Sequence, residues 1–399
     1  MTDAPPEPLV LAGPARAVLE GFLAGFGGER VVVVTDPTRP ASWQQDLLDR
    51  VRRATREGRV RPGDAVLLTG GTTGNPRAVV RDRASWVASA PALATLLGLR
   101  PTDEVWVPGP PTSTLSLQAA WHAEHCGTEV VGFAGGTAAP PARATVLHGV
   151  PSALRAALEA RAAGRMPALR VAVVAGDTCP PTLVRRAGEL GVDVVEYYGA
   201  AELSFVAYRD TRTVPPVAGF APFPGAEVRV RDGRVEVCSA FRARGYLPGG
   251  APGMPGPEGP LTETVDADGR VWAGVGDGGR WVDGRLHLTG RDATAVTTGG
   301  WTVLTADVEA VLGEVEGVLG VVVHGRPHPD LGAVLVAVVE TAATTTKGRA
   351  DLRRRLDAAA RELSAPARPR RWSFVARLPR TPAGKTDRAA AALLDDDHR

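Results

Sequence analysis

A segment rich in glycine and threonine follows the short apolar run at 65–68 and is suited to binding phosphate. It spans residues 69–77 and reads TGGTTGNPR. Its hydroxyl groups come from Thr69, Thr72 and Thr73, and its glycines are Gly70, Gly71 and Gly74. Glycines let backbone amides turn towards one point, and the hydroxyls add donors, so the segment can enclose an anion. It lacks the Gly-Lys-Ser/Thr ending of a Walker loop, and an ordinary glycine-rich turn is the alternative interpretation.

Lysine is rare in this chain, which makes each of its lysines informative. The sequence has 46 lysines and arginines, and only Lys347 and Lys385 are lysines. Coding bias explains such a preference, since arginine keeps the charge at most surface positions. A lysine that remains against this background is expected to have a specific reason. Lys385 lies in a polar, turn-rich segment at 379–388 that reads PRTPAGKTDR, whereas Lys347 has no comparable setting.

Short apolar runs alternate with longer helical patterns over the first 200 residues. Strands are predicted at 31–35, 65–68, 104–107, 129–133, 144–147, 169–174 and 192–196. Helices are predicted at 43–54, 84–97, 115–125, 152–163 and 181–190. Apolar strands joined by helices are typical of a doubly wound parallel sheet, so we expect an α/β domain.

The pattern changes after residue 202. Runs at 226–230 and 235–238 flank an Asp-Gly turn, and runs at 279–282 and 285–289 flank another, which predicts a small antiparallel β subdomain at about 215–290. From residue 293 a hairpin, two helices and three strands predict a compact α+β unit. We therefore expect a large N-terminal domain at 1–291 and a small C-terminal domain at 292–399.

Composition excludes several classes of function. The 399 residues carry a net charge of +2, which is not the basic footprint of a general nucleic-acid binder. The apolar runs are shorter than the roughly 20 residues that span a bilayer, and the acidic, proline-broken N-terminus does not resemble a secretory signal. Cys126, Cys179 and Cys238 are widely spaced and lack metal-binding spacing. We therefore expect a cytoplasmic protein with no membrane insertion.

Five motifs occur in a fixed order along the chain. They are the 69–77 loop, YGAAE at 198–202, Gly-Asp at 276–277, Gly-Arg at 290–291 and the 379–388 segment. Together they resemble the adenylate-forming superfamily of acyl-CoA ligases, luciferases and peptide-synthetase adenylation domains, over about residues 66–394. The TTGGWTV string at 297–303 and the short N-terminal region look most like o-succinylbenzoate–CoA ligases.

The resemblance implies an ATP site. The 69–74 loop would hold the β- and γ-phosphates, Tyr198 would stack on adenine, and the Gly176-Asp177 turn would line the other side of the base. The small Gly199 would leave room in the substrate site. A Tyr at a strand end is otherwise more often a core residue.

The resemblance also implies catalytic residues. Glu202 would hold Mg²⁺, which prefers carboxylate oxygen, and Asp277 would bind the ribose hydroxyls. Arg291 would lie at the junction of the two domains, and Gly300 would approach the pantetheine of CoA. Lys385 would be the adenylation lysine, placed where negative charge develops between the acid and the α-phosphate.

The sequence departs from the family pattern at several positions. The departures are Gly70, Arg77, Ala201, Ala293, Thr294 and Thr297. All of these except Thr294 motivate the hypothesis of a degenerate protein that binds a nucleotide or a partner without turnover. Retention of Glu202, Asp277, Arg291 and Lys385 favours an enzyme instead.

These observations predict an AMP-forming acyl-CoA ligase with a mobile C-terminal domain. ATP would activate a small-molecule carboxylic acid to acyl-AMP, and CoA would then accept the acyl group. Transfer to a separate carrier protein or to an amine is the alternative. The walls of the acid pocket are expected at 106–116, 147–152 and 197–201, and the acid itself stays open.

Overall fold

The computed structural model describes residues 6–69, 77–133, 139–212, 219–249, 260–290, 295–298, 301–329, 331–382 and 384–395. Up to residue 210, helices follow most of the strands. They are β1 (Leu9–Leu11), α1 (Ala15–Gly25), β2 (Val32–Val34), α2 (Ala41–Arg56), β3 (Ala65–Thr69), β4 (Arg77–Arg81), α3 (Arg83–Leu97), β5 (Glu104–Trp106), α4 (Thr114–His125), β6 (Glu129–Val131), β7 (Val146–Gly149), α5 (Pro151–Ala162), β8 (Val171–Ala175), α6 (Pro181–Glu189), β9 (Asp193–Ala200) and β10 (Ser204–Asp210).

The second part of the chain is mostly strand. It contains β11 (Ala221–Pro222), β12 (Ala226–Arg231), β13 (Arg234–Ser239), β14 (Gly245–Tyr246), β15 (Thr262–Val265), β16 (Val271–Gly274), β17 (Gly278–Val282) and β18 (Arg285–Gly290). The C-terminal unit follows with β19 (Ala295–Thr298), β20 (Trp301–Leu304), α7 (Thr305–Gly313), β21 (Gly320–His328), β22 (Gly332–Glu340), α8 (Thr346–Ala360), a 3-10 turn (Ala365–Ala367), β23 (Arg371–Val375) and α9 (Arg388–Leu393).

The predicted α/β fold class is confirmed, and the strands are divided between two sheets. The first has the order β1-β2-β3-β4-β14, and the second has the order β11-β10-β9-β8-β7-β5-β6. Strands β1 to β3 are parallel, but β4 turns back antiparallel on β3 after the 69–77 loop, which ends the parallel run. In the second sheet, β9, β8, β7, β5 and β6 are parallel.

Helices fill the space between the two sheets and cover both outer faces. From α4, Leu117 and Trp121 pack towards the first sheet, while Ala120 and Ala123 pack towards the second. Helix α2 covers the outer face of the first sheet, and α5 and α6 cover the outer face of the second. Strands β2 and β8 are buried along their whole length, which explains their continuous apolar sequence.

The Asp-Gly turns of the β subdomain follow from their backbone angles. Asp232 and Gly233 have φ of 50° and 73°, and Asp283 and Gly284 have φ of 49° and 72°. Two consecutive residues with positive φ form the hairpin turn that matches the twist of antiparallel strands. The pairs β12–β13 and β17–β18 are therefore joined where the sequence predicts.

The C-terminal unit has its own core. Strands β21 and β22 are antiparallel, β23 is parallel to β22, and Val308, Leu312, Leu352 and Leu356 of α7 and α8 pack against this sheet. The predicted boundary between residues 291 and 292 lies outside the described residues and stays a prediction. Among the described residues, no helix combines the length and the apolar character that crossing a bilayer requires.

Candidate active site

Three adjacent parallel strands end at one edge of the second sheet, and the predicted residues Gly176, Asp177 and Tyr198 lie there. Strand β7 leads into α5, whose first turn carries Ser152, and β8 leads into Gly176 and Asp177. Tyr198 lies near the end of β9. In open α/β sheets, the carboxyl ends of parallel strands form the crevice that binds ligands. The order β9-β8-β7 therefore brings together residues that are distant in sequence.

The side chain of Lys385 lies over Gly176. A Cβ atom at position 176 would come within 2.8 Å of Lys385 Cε and 3.4 Å of Nζ. Gly176 also has a φ of 83°, which side chains rarely adopt. Glycine at this position therefore lets the ammonium group of the C-terminal unit reach the edge of the second sheet.

A tight turn presents Lys385. The Thr381 amide donates to the Lys385 carbonyl and the Gly384 amide donates to the Thr381 carbonyl, both at 2.8 Å. Asp177 Oδ2 accepts from the Thr386 amide at 2.8 Å, and Ser152 Oγ donates to the Gly384 carbonyl at 3.0 Å. The residues on both sides of Lys385 are thus bound to the ends of β7 and β8. Asp177, expected beside the adenine, contacts the lysine turn.

A buried ionic network supports this arrangement. Glu340 Oε2 accepts from Arg380 Nη2 at 2.9 Å and from the Leu378 amide at 3.2 Å. From α5, Arg155 donates to the Leu319 carbonyl and lies 3.7 Å from Glu340 Oε1. Burial lowers the pKa of Arg155, and the Glu340 carboxylate opposes this shift. The network joins α5 to the C-terminal unit.

Tyr198 and Asp277, the residues expected at adenine and ribose, are in direct contact. Tyr198 Oη donates to Asp277 Oδ2 at 2.8 Å. Asp277 lies between β16 and β17, where its carbonyl accepts from the Val235 amide at 2.9 Å. The β subdomain thus delivers a carboxylate to the end of β9.

Glu202 is buried close to the base of the 69–77 loop. Tyr246 Oη donates to Glu202 Oε1 at 2.6 Å. Tyr246 lies on β14, opposite Val79 of β4, and β4 continues directly from the loop. Burial and then the hydrogen bond to Glu202 raise the pKa of Tyr246, so its hydroxyl stays protonated and donates.

Arg81 holds the backbone around Glu202. Its side chain is fully buried and donates to the carbonyls of Ala201 and Phe241 and, at 3.2 Å, to Ser85 Oγ. Burial lowers the pKa of Arg81 to about 10, and the charges of Asp82 and Glu202 oppose this shift. Arg81 is therefore cationic at neutral pH, and Ala201 contributes through its carbonyl although it lacks a hydroxyl.

Two family models match the chain. Residues 21–248 match the AMP-binding enzyme model, and residues 307–385 match the C-terminal domain model of the same enzymes. The chain belongs to the family of AMP-binding enzymes.

The relatives of this AMP-binding enzyme include acyl-CoA ligases. It is 27% identical to the uncharacterized acyl-CoA ligase YhfT of Bacillus subtilis, over 81% of this chain and 66% of YhfT. It is 28% identical to a probable 2-succinylbenzoate–CoA ligase of Mycobacterium tuberculosis, over 96% of each chain. The structure of an E. coli MenE variant with bound OSB-AMS has a TM-score of 0.72 at 20% identity, over 92% of this chain and 84% of MenE. This structural similarity shows the shared fold.

Several predicted residues of the AMP-binding enzyme lie outside the described residues: Gly70, Gly71, Thr72, Thr73, Gly74, Arg291 and Gly300. Thr69 ends β3 and pairs with Arg77 across the hairpin that carries the loop. Among the described residues, no group of three or more His, Cys, Asp or Glu side chains is arranged to hold a metal ion. A single carboxylate such as Glu202 suits Mg²⁺, which usually binds one or two carboxylates together with substrate phosphates.

Sequence analysis did not single out Arg81 and Tyr246, and it placed Ser152 in a pocket wall and Thr386 in the 379–388 motif without predicting their contacts. Ser152 and Thr386 act through hydrogen bonds between segments about 230 and 210 residues apart, and spacing along the chain does not reveal such contacts. Arg81 had one available signal, because it lies within an apolar strand directly before Asp82. An arginine in a buried strand requires acceptors nearby.

Gly199 has a different explanation from the one expected. A Cβ atom at this position would lie 1.9 Å from the Ser204 carbonyl oxygen, because β9 and β10 approach closely at a bulge. Ser204 itself has a φ of 59°. The hairpin therefore requires glycine here, and the room that Gly199 would leave for substrate stays a prediction.

We expect Gly199→Ala to destabilise the protein, because its methyl group would meet a backbone carbonyl. Overpacking of this kind costs roughly 1–3 kcal/mol. Urea unfolding followed by tryptophan fluorescence measures the change. Gly188→Ala is the matched control, since Gly188 lies in α6 with no atom within 4 Å of its Cβ position. Equal stability of the two variants would contradict this explanation.

We expect Tyr246→Phe to weaken binding of Mg²⁺·ATP, because Glu202 would lose the donor that orients it. A hydrogen bond to a charged group contributes about 1.5–3 kcal/mol, so the Mg²⁺ concentration for half-maximal ATP binding should rise about tenfold. Calorimetric titration of ATP binding at several Mg²⁺ concentrations measures this. Tyr208→Phe, on β10, is the control, and an unchanged Mg²⁺ dependence in Tyr246→Phe would exclude the orienting role.

Proposed function

We propose that this enzyme activates a carboxylic acid with ATP to acyl-AMP and then transfers the acyl group to CoA. The observation that carries the proposal is Lys385 over Gly176, at the edge where β7, β8 and β9 end. The family membership and the acyl-CoA ligases among the relatives support it. The chain spans about two thirds of YhfT and nearly all of the succinylbenzoate–CoA ligase.

The first half-reaction joins the acid to AMP. A carboxylate oxygen attacks the α-phosphorus, the bond to the bridging oxygen of the β-phosphate breaks, and pyrophosphate leaves. Lys385 supplies a positive charge at the junction of the two reacting anions, where negative charge increases in the transition state. Asp177 and Ser152 hold the turn that carries Lys385, so the cation is in place before the reaction. Bound Mg²⁺ at Glu202 would neutralise phosphate charge.

The second half-reaction requires a different position of the C-terminal unit. The CoA thiol loses its proton as its sulfur attacks the acyl carbon, the bond to the AMP oxygen breaks, and AMP leaves with the electron pair of that bond. We assign a rotation of the C-terminal unit near residue 291 to the exchange between the two half-reactions. The contacts of Ser152, Asp177 and Arg155 with this unit would break during that rotation. A hinge movement between half-reactions is compatible with an interface of this kind.

The proposed setting is the cytoplasm. Three cysteines of the described residues, Cys126, Cys179 and Cys238, carry free thiols. Free thiols are typical of reducing compartments. CoA and a small-molecule acid are the proposed partners, and a separate carrier protein is an alternative acceptor.

We expect Lys385→Ala to lose acid-dependent ATP–pyrophosphate exchange by about 10²–10³-fold, because the developing charge loses its preorganised cation. ATP binding, measured by calorimetry, should persist. Lys347→Ala is the matched control, because Lys347 is the other lysine of the chain and is exposed on α8. Retained exchange in Lys385→Ala would remove this residue from the reaction.

We expect Arg155→Met to slow exchange about tenfold, which corresponds to roughly 1.4 kcal/mol. The substitution removes a buried contact that holds the C-terminal unit in the arrangement proposed for adenylation. Thioester formation from supplied acyl-AMP does not use this arrangement, so its rate should be unchanged. Arg185→Met is the control, because the Arg185–Glu314 pair joins the same parts of the chain through exposed side chains. Equal losses in both half-reactions would indicate a general structural defect instead.

The acceptor is identified by comparing AMP release in the presence of CoA, a carrier protein and hydroxylamine. CoA-dependent release with formation of a thioester supports the proposal. Release with hydroxylamine alone indicates an amine acceptor, and release with the carrier protein alone indicates carrier loading. ATP binding without exchange on a broad panel of acids, in folded protein, would indicate the degenerate nucleotide-binding protein.

A further inference from the structure

One face of the second sheet lies under α4 and leads to the edge that carries Gly176. His148, Val173 and Val195 are cross-strand neighbours on β7, β8 and β9, and Ala175 and Tyr197 follow two residues further along β8 and β9. Neighbours in register and residues two apart share a face of a sheet. Val173 and Val195 belong to the core that packs against α4. His148 and Tyr197 therefore also face α4.

One side of α4 runs from the same edge of the second sheet into the interior, and we call this route the path. Leu115, Gln118 and His122 are spaced by three and four residues, so they lie on one side of the helix. Leu115 Cδ1 is 3.5 Å from the Cβ position of Gly176. This side of α4 therefore starts at the edge where β7, β8 and β9 end, which we call the catalytic edge. The path thus runs inward from the catalytic edge.

Four polar side chains lie along the α4 side and the sheet face just described, and we call them the polar cluster: Gln118, His122, His148 and Tyr197. His122 Nε2 is 3.1 Å from the Ala90 carbonyl, and His148 Nε2 is 3.5 Å from Tyr197 Oη. Gln118 is only 5% exposed, yet neither its amide nitrogen nor its amide oxygen has a hydrogen-bond partner among the described residues. A buried amide without partners costs free energy, so its presence here needs a reason.

The polar cluster carries no charge at neutral pH. Burial lowers the pKa of His122 to about 4 and that of His148 to about 3, so both rings are neutral. Burial raises the pKa of Tyr197, which keeps its hydroxyl protonated. Among the described residues of this sheet face, the neighbouring Val173 and Val195 are apolar, and Lys385 lies at the catalytic edge.

We propose that the polar cluster receives the tail of the acid substrate, and that this acid is a monocarboxylate whose tail carries an uncharged hydrogen-bonding group. The inference rests on the proposed function. A hydroxyl, carbonyl or amide in the tail pairs with Gln118, which both donates and accepts. A second carboxylate would be buried without a cation, and a purely apolar tail would leave Gln118 unpaired. The cluster is closed to solvent, so its side chains shift to admit the tail.

Matched sets of acids test the proposal. One set is benzoate, the hydroxybenzoates and the benzenedicarboxylates, and the other is hexanoate, 6-hydroxyhexanoate and adipate. The value of kcat/KM for acid-dependent ATP–pyrophosphate exchange is measured for each acid. A hydroxylated acid should exceed both its apolar parent and its dicarboxylate counterpart by at least about tenfold, because a site built to bind a hydroxyl rejects analogues that lack it.

Gln118→Leu removes the side-chain amide of Gln118 and tests its contribution to substrate preference. The preference for the hydroxylated acid over its parent should fall about tenfold, while the affinity for ATP is unchanged. Gln45→Leu is the matched control, because Gln45 is exposed on α2 and should leave the preference intact. Gln118→Met replaces Gln118→Leu where near-ultraviolet circular dichroism shows that the leucine variant is not folded.

The outcomes separate this inference from the proposed function. Exchange that favours an apolar parent or a dicarboxylate, or an unchanged preference in both Gln118 variants, overturns the inference and leaves the acyl-CoA ligase intact. Exchange with none of the acids, in folded protein that binds ATP, overturns the proposed function and the inference together.

Discussion

Close approach between Lys385 and Gly176 is the contact on which the candidate site depends. The ammonium group belongs to the C-terminal unit, and the surface that it meets is the end of a buried strand in the second sheet. Any side chain at position 176 would occupy the place of the lysine side chain. A residue with no side chain is therefore as much a part of this site as the charged residue above it.

The surroundings of Glu202 show how a fold brings together parts that the chain keeps apart. Arg81 ends β4, Glu202 lies between β9 and β10, and Tyr246 belongs to a two-residue strand beside β4. Each contributes a different kind of constraint: Arg81 fixes backbone carbonyls, and Tyr246 fixes one carboxylate oxygen. Burying a cation beside these groups is tolerable because its donors meet several acceptors.

The sequence predicts those features that depend on local chemistry. The Asp-Gly turns follow from backbone angles that few residues adopt, and Lys385 is conspicuous because the chain has almost no other lysine. Membership of the family follows from motifs in order. Strand partners are a different matter, because apolar strands on either side of α4 have similar sequences and nothing local assigns them to two sheets.

The sequence does not predict the contacts that folding creates between residues far apart in the chain. The roles of Tyr246 and Gln118 depend on what lies opposite them, and side chains of these types are ordinary surface residues elsewhere in proteins. Gly199 shows the reverse problem, since its small size had a plausible functional explanation. The structure gives a backbone reason instead, the Ser204 carbonyl.

The contact between α5, α6 and the C-terminal unit is polar, and this bears on how easily the protein would aggregate when the contact is broken. Arg155, Thr182 and Arg185 face this unit with groups that bind carbonyls and carboxylates. Water solvates such groups well, so parting these surfaces uncovers little that would attract another chain. If the C-terminal unit rotates between the half-reactions as proposed, these polar surfaces would limit aggregation of the open state.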